Sequence, residues 1–500
     1  MARIVVIGAG MSGLAAASRL ATLGHRVTVC EASGTYGGML GRHERDGFAF
    51  DTGPGLLTLP AVYRDLALKT GREPLEELVE LAPVDPESRH LLPDGTSLLL
   101  PNASRGGVAQ ALDAAFGAGS GERWSEVVNR GRTVWEATRR PLLEEPLPED
   151  PARLGTDPYP APPRRGLARL RRTPWTLADV ARQELGGHPG LTALLHEHAL
   201  RFGFDPRTAP AGATVLPYME QSFGVWYVRG GLRALADAVY RRCLDRGVEV
   251  RFDARVARVA LDAGRASGVV LTGGERVAGD IVVSSTDTRL FDPERIGAAG
   301  PRGDGGPAPS DGRPDAPGRV SVLLALRGPR PAGTAHRTVV HAADPAAEQS
   351  WVFDRDAPPT GRPTVQVLRP DDPALRPDGY ESAVLTVTVP CRGLDWAAPG
   401  VADRFADQVL DHADAAGLGL RERLMWRVVR TPLDTEAETG AWSGSVPRPA
   451  LAGAGGGLLQ SPNRRPQPGL FVIGGAAHPG GGLARVGMSA CITAGLIGPA

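Results

Sequence analysis

The residues best suited to chemistry stand at the start of the chain. Gly8-Ala9-Gly10-Met11-Ser12-Gly13 is a G-x-G-x-x-G turn. Missing side chains at Gly8, Gly10 and Gly13 let a diphosphate approach backbone amides at a helix N-terminus. Glu31 follows at the end of the next strand, where a carboxylate can bond ribose hydroxyls. A second glycine pair, Gly37 and Gly38, offers another loop that can close on the diphosphate; an ordinary turn is the competing reading. This pattern predicts a bound dinucleotide without saying which one.

Three further residues are candidates for acid or base work. His478 titrates near neutrality, yet it lies inside a glycine run where a packing role is equally natural. Asp51 precedes Thr52-Gly53-Pro54 and is either a proton acceptor or a turn former, the turn being preferred. Glu220, close to Phe223, Trp226 and Tyr227, belongs either to the substrate face of a cofactor site or to a packed hinge. Other chemistries lack a site. Lys69, the only lysine, is not preceded by phosphate-loop glycines, and no G-x-S-x-G elbow follows a strand. Cys30, Cys243, Cys391 and Cys491 lie far apart, with no metal-binding spacing.

The elements that position these residues are legible in the apolar pattern. A β-branched run over 3–7, the glycine turn, a helix over 14–23 and a second strand over 26–30 make a βαβ opening. Helices are expected over 176–183, 191–201 and 232–246, and strands over 248–252, 256–261, 266–271 and 280–284. Residues 292–318, crowded with Gly, Pro and Asp, read as a long loop or linker. Strands are expected over 319–326, 383–389 and 470–473, and a last helix from about Val486.

The chain has 500 residues, long enough for two packed domains rather than one. Its 42% hydrophobic and 22% charged content are those of a soluble globular protein. A formal net charge of zero removes the footprint that nucleic-acid binding requires. The opening Met1-Ala2-Arg3 runs straight into a strand, which leaves no room for a signal peptide, and no apolar stretch reaches about 18 residues. A cytoplasmic protein is expected. Peripheral membrane contact remains open through the basic and apolar stretch 164–172, for which a solvated surface is the preferred reading. Oligomeric state is not legible.

The chain resembles the phytoene desaturase and carotenoid isomerase group of flavoproteins, relatives of the amine oxidases. The resemblance rests on Gly8, Gly10 and Gly13, on Glu31, Gly37 and Gly38, on Phe50-Asp51-Thr52-Gly53-Pro54, on Gly230-Gly231-Leu232, and on the run 474–482 with His478-Pro479-Gly480. It implies FAD as cofactor, with Arg42 after the glycine pair, Val256 beside the adenine end, and Gly474 and Gly475 along the ribityl chain and flavin. It also implies a last helix whose amides near Val486, Gly487 and Met488 meet the flavin pyrimidine ring. Two features depart from the desaturase pattern. Met39-Leu40-Gly41 separates the glycine pair from Arg42, and Gly482-Leu483-Ala484-Arg485-Val486 replaces a proline-containing turn.

The expected fold is α/β, a Rossmann-like FAD-binding domain of glutathione-reductase type with a discontinuous mixed α+β substrate domain. Residues 1–75, 224–300 and 455–500 would form the first domain, and 76–223 and 319–454 the second. The resemblance implies hydride transfer between a hydrophobic polyene and the flavin, as in carotenoid desaturation. Two alternatives stand beside it: reductive cyclisation of a polyene tetramate macrolactam with NADPH as reductant, and a non-catalytic role holding FAD within a biosynthetic complex.

Overall fold

The computed structural model describes residues 1–163, 174–286, 316–391 and 393–500. Arg3–Ile7, stiffened by its β-branched residues, is the middle strand of a parallel sheet. Among the described residues the sheet order is Glu249–Arg251, Arg26–Cys30, Arg3–Ile7, Ile281–Ser284 and Leu470–Val472. All four pairings are parallel. The sheet thus gathers strands from three separated parts of the chain.

The Ala- and Leu-rich segment after the glycine turn forms the helix Met11–Thr22, buried along its whole length from Met11 to Leu20. It lies against the sheet and against the helices Leu232–Asp245, Leu483–Ile497 and Ala61–Gly71. Ile4, Val6, Leu14, Leu20 and Val239 share this core. Each such aliphatic side chain contributes roughly 1.5–3 kcal/mol relative to exposure. The other face of the sheet is covered by an antiparallel layer, Val256–Asp262, Arg265–Leu271 and Arg276–Ala278, packed on Val5, Ile7 and Val282.

A second, mixed sheet runs in the order Leu424–Arg430, Gly318–Arg327, Tyr380–Val389, Val365–Leu368, Arg337–Val340, Ser88–Leu91 and Ser97–Leu100. Alternation splits its faces. Val320, Val322, Leu324, Val367 and Leu385 point into a core closed by Trp351 and Phe405 from the helices Pro345–Phe353 and Val401–Ala415. Part of the opposite face meets the hairpin Arg42–Arg45 and Phe48–Asp51, where Phe48 and Phe50 pack on Leu323 and Ala325.

The expected elements are present with small shifts at their ends, except that the last helix starts at Leu483 rather than near Val486. Gly482, at φ +103, ends the glycine run, and Leu483 and Ala484 already favour helix. The expected loop over 292–318 lies outside the described residues as far as 315, and so does the basic stretch 164–172. No helix among the described residues is long and apolar enough to cross a membrane.

Candidate functional site

One cavity of about 1640 Å³ connects the two sheets. At one end lies the N-terminal turn, whose three glycines are needed for different reasons. Gly8 has φ +92, and a Cβ there would meet Ser285 Oγ at 2.5 Å. A Cβ on Gly13 would lie 2.0 Å from the Gly8 carbonyl oxygen, so the helix can press on the turn only without one. At Gly10 a Cβ would meet only Gly38 Cα, at 3.8 Å, and the backbone there lines the cavity. The helix that follows has Gly10 at its N-cap and no capping side chain, leaving amide groups for a ligand.

The second glycine pair is tied to the first turn. Gly37 N–H donates to the Ala9 carbonyl at 2.8 Å, and Gly37 pairs with Gly10 in a parallel bridge. Glu31 lines the cavity beside them; its Oε2 accepts from Ala9 N–H at 2.6 Å and its Oε1 from Ser33 N–H at 2.8 Å. Arg42 and Val256 also line it. This arrangement suits an extended ligand with a diphosphate at the turn and a diol near Glu31.

Gly475, Leu483, Ala484, Arg485 and Val486 bring a second helix N-terminus to the cavity, again without a capping side chain or an acidic residue in its first turn. Because the helix starts at Leu483, its first turn is 483–486. Gly487 and Met488, expected beside the ligand, do not line the cavity. A Cβ on Gly487 would meet Val62 Cγ1 at 2.8 Å, so this glycine serves helix packing. Gly474 does not reach the cavity either; its N–H donates to Ser489 Oγ at 3.1 Å. Arg485 is buried, its Nη2 3.8 Å from Met219 Sδ, with no carboxylate partner among the described residues. Burial pushes its guanidinium down to about 10.

His478 and Asp51 lie outside the cavity lining. His478 is fully buried and donates from Nε2 to the Glu145 carbonyl at 3.0 Å, while its own carbonyl accepts from Asn463 and Ser489, each at 2.8 Å. Burial pushes its ring down to about 4, so it pins the 474–482 segment as a neutral imidazole. Asp51 caps the helix Leu232–Asp245, accepting from Leu232 and Arg233 N–H. A proton-handling role for either residue does not fit these placements.

Glu220 does line the cavity, as one member of a buried ionic cluster. Arg201 and Arg337 both clamp its carboxylate, and Glu197 lies on the far side of the same two guanidiniums. Burial alone would raise Glu220, but the two arginines hold it well below the usual carboxylate range, which makes it a fixed anion rather than a proton carrier. Behind it, burial and the neighbouring Glu220 charge push Glu87 well above that range. The spacing of Glu197 and Arg201 on one helix was a signal available in sequence. Arg337, distant in the chain, gave none.

A parallel sheet carrying a glycine turn, joined to a second sheet across a ligand-sized cavity, defines a two-part dinucleotide-binding protein. The chain belongs to the flavin containing amine oxidoreductase family, whose profile matches residues 11–497. It is therefore an FAD-dependent oxidoreductase. It is similar to the all-trans-zeta-carotene desaturase of Myxococcus xanthus, 30% identical over 98% of this chain and 92% of the relative. It is also similar to the 4,4'-diapolycopene oxygenase of a Methylomonas species, 28% identical over 97% of this chain and 96% of the relative. Its fold is that of putrescine oxidase in a structure bound to putrescine, at TM-score 0.64 and 17% identity over 99% of this chain and 98% of the other. The resemblance to phytoene desaturases seen in the sequence is borne out along the full chain.

Proposed function

We propose that the protein acts on a polyene by hydride transfer to or from FAD, in the manner of a carotenoid desaturase. The observation that carries this reading is the single cavity joining the glycine turn to the second sheet, in a chain whose full-length relatives are named for carotene desaturation and diapolycopene oxygenation. FAD, when bound, supplies a two-electron acceptor or donor. The residues assigned to it are Gly8, Gly10, Glu31, Gly37, Gly38, Arg42, Val256, Gly475 and Val486, all at the cavity wall. The open backbone at Gly10, the uncapped helix after it and the Glu31 carboxylate fit a diphosphate and a ribose.

Residues 1–75, 224–300 and 455–500 are assigned to the FAD-binding domain and 76–223 and 319–454 to the substrate-binding domain, a division supported by the strands each sheet draws on. The protein's part in the chemistry is orientation and exclusion of water. The ionised Glu220 and the neutral, enclosed His478 argue against a side-chain base. In the reductive direction NADPH supplies the hydride. A hydrophobic substrate also makes peripheral membrane contact an expectation.

The test is anaerobic mixing of the flavin-loaded protein with phytoene, with zeta-carotene and with NADPH. Bleaching by a carotene alone supports desaturation. Bleaching by NADPH alone moves the reading to the reductive direction, and no bleaching by any of them overturns the redox reading.

A further inference from the structure

The second sheet forms one wall of the cavity, and side-chain alternation decides what that wall presents. Its buried face is aliphatic. Beside Leu368, its cavity face carries Arg319, Ser321, Gln366, Thr386, Thr388 and Arg430. These are aligned: Gln366 pairs with Thr386, Thr386 with Ser321, and Ser321 with Arg430. One rung across four neighbouring strands is thus entirely hydrogen-bonding. Thr388 and Arg319, paired in the same way, extend it towards one strand end.

The bonding state of the rung is incomplete. Gln366 Nε2 donates to Glu197 at 2.8 Å, and Arg430 binds Glu438. Among the described residues the hydroxyls of Ser321, Thr386 and Thr388 make no hydrogen bond. Arg319 donates to the Arg201 carbonyl at 2.6 Å and meets no carboxylate among the described residues. A hydrocarbon laid on this wall would strip water from each of these groups and return nothing. The same strands place valine and leucine at alternate positions, so the polar face is not imposed by strand formation.

We infer that the polyene taken by this enzyme carries hydrogen-bonding groups, among them an acidic carboxyl or enol, which lie on the rung Gln366–Thr386–Ser321–Arg430 with Arg319 as the cation. The inference rests on the polyene reading above and narrows it: an unfunctionalised hydrocarbon is a poor occupant. Ser321, Thr386 and Arg319 are then the residues that set specificity.

The test compares all-trans-retinoic acid with axerophtene, the hydrocarbon of the same skeleton, on the flavin-loaded protein. Both are delivered from the same detergent micelles, and binding is followed by quenching of tryptophan fluorescence. Retinoic acid is expected to bind at least roughly tenfold tighter. The isosteric T386V is expected to cut that preference several-fold, and R319M to abolish it, with hydrocarbon binding unchanged or improved. Equal or tighter binding of axerophtene to the wild-type protein, or a preference untouched in both variants, overturns the inference. Should R319M fail to fold, T386V and T388V decide alone, with flavin content as the check on folding. Retinoic acid preference without bleaching by any polyene would sink the redox reading and leave this one standing.

Discussion

The Asp51 carboxylate caps the helix Leu232–Asp245, with Oδ2 accepting from Leu232 N–H at 2.7 Å and Oδ1 from Arg233 N–H at 3.2 Å. The hairpin that packs on the second sheet is thereby fastened to a helix lying on the first. Asp51, which sequence offers first as a turn former and second as a proton acceptor, is a joint between the two halves.

Asp51→Ala removes the cap and is expected to cost about 1 kcal/mol, whereas Asp51→Asn keeps an acceptor oxygen. Burial raises the Asp51 carboxyl to about 6, against an ordinary value of 3.8. Between those values the native state holds a proton that the unfolded state has lost. The contribution of this group to stability therefore rises as pH falls from about 6 to 3.8, by up to about 3 kcal/mol. Urea unfolding at pH 4 and pH 7 should show a flatter dependence in Asp51→Asn, with flavin content and turnover retained. Lost turnover with flavin still bound would restore a proton role.

His478 works in the opposite sense. Burial pushes its ring from 6.5 to about 4, and His196, His336 and His341 are pushed down to the same level, also by burial. Unfolded histidines bind protons that these do not, so stability is lost as pH falls from 6.5 towards 4, by up to about 3 kcal/mol for each ring. His478→Gln keeps a donor for the Glu145 carbonyl and cannot titrate. Its melting temperature should fall less steeply with acid than that of the wild-type protein, while the pH profile of flavin reduction stays in place.

Gly10 and Gly13 should separate cofactor binding from folding. In Gly13→Ala the new methyl sits 2.0 Å from the Gly8 carbonyl, so the turn and helix must part, and both stability and flavin are expected to suffer. In Gly10→Ala the nearest atom is 3.8 Å away, so the chain should fold normally and lose affinity for FAD, roughly tenfold or more. Visible flavin absorbance set against far-ultraviolet circular dichroism distinguishes the two. Full flavin retention in Gly10→Ala would displace the diphosphate from this turn.

Arg485 is a buried cation with no anion beside it among the described residues, in the first turn of a helix that reaches the cavity. Negative charge gained by the flavin on reduction would complete the pair. Arg485→Met keeps the bulk and removes the charge. The flavin midpoint potential is expected to fall by roughly 30 mV for each tenfold loss of reduced-state stabilisation. An unchanged potential would place the guanidinium out of reach of the flavin.

The N-terminal βαβ unit was legible because its signals are local: a β-branched run, a glycine turn and an Ala-rich helix within Arg3–Ile7 and Met11–Thr22. The cavity wall was not, for two reasons. Thr386 and Thr388 sit in an apolar run that reads simply as a strand, and only tertiary pairing shows that their face meets the cavity. The clamp of Arg201 and Arg337 on Glu220 joins residues far apart in the chain, and no spacing announces such a contact. His478 left two readings open for a related reason: its residue type suggests titration, while burial decides its charge.

The strand Leu470–Val472 completes the parallel sheet by pairing with Ile281–Ser284. During synthesis the ribosome must therefore deliver the chain as far as Val472 before the sheet can close. Pairings of such long separation fold slowly and leave strand edges exposed to aggregation in the meantime. The nascent chain cannot finish its flavin pocket early, since Gly475 and the 483–486 turn follow that strand. Yellow colour in a preparation thus doubles as a report that the chain was made past the 483–486 turn and correctly threaded. A supply of FAD at the moment of release should raise the yield of intact protein.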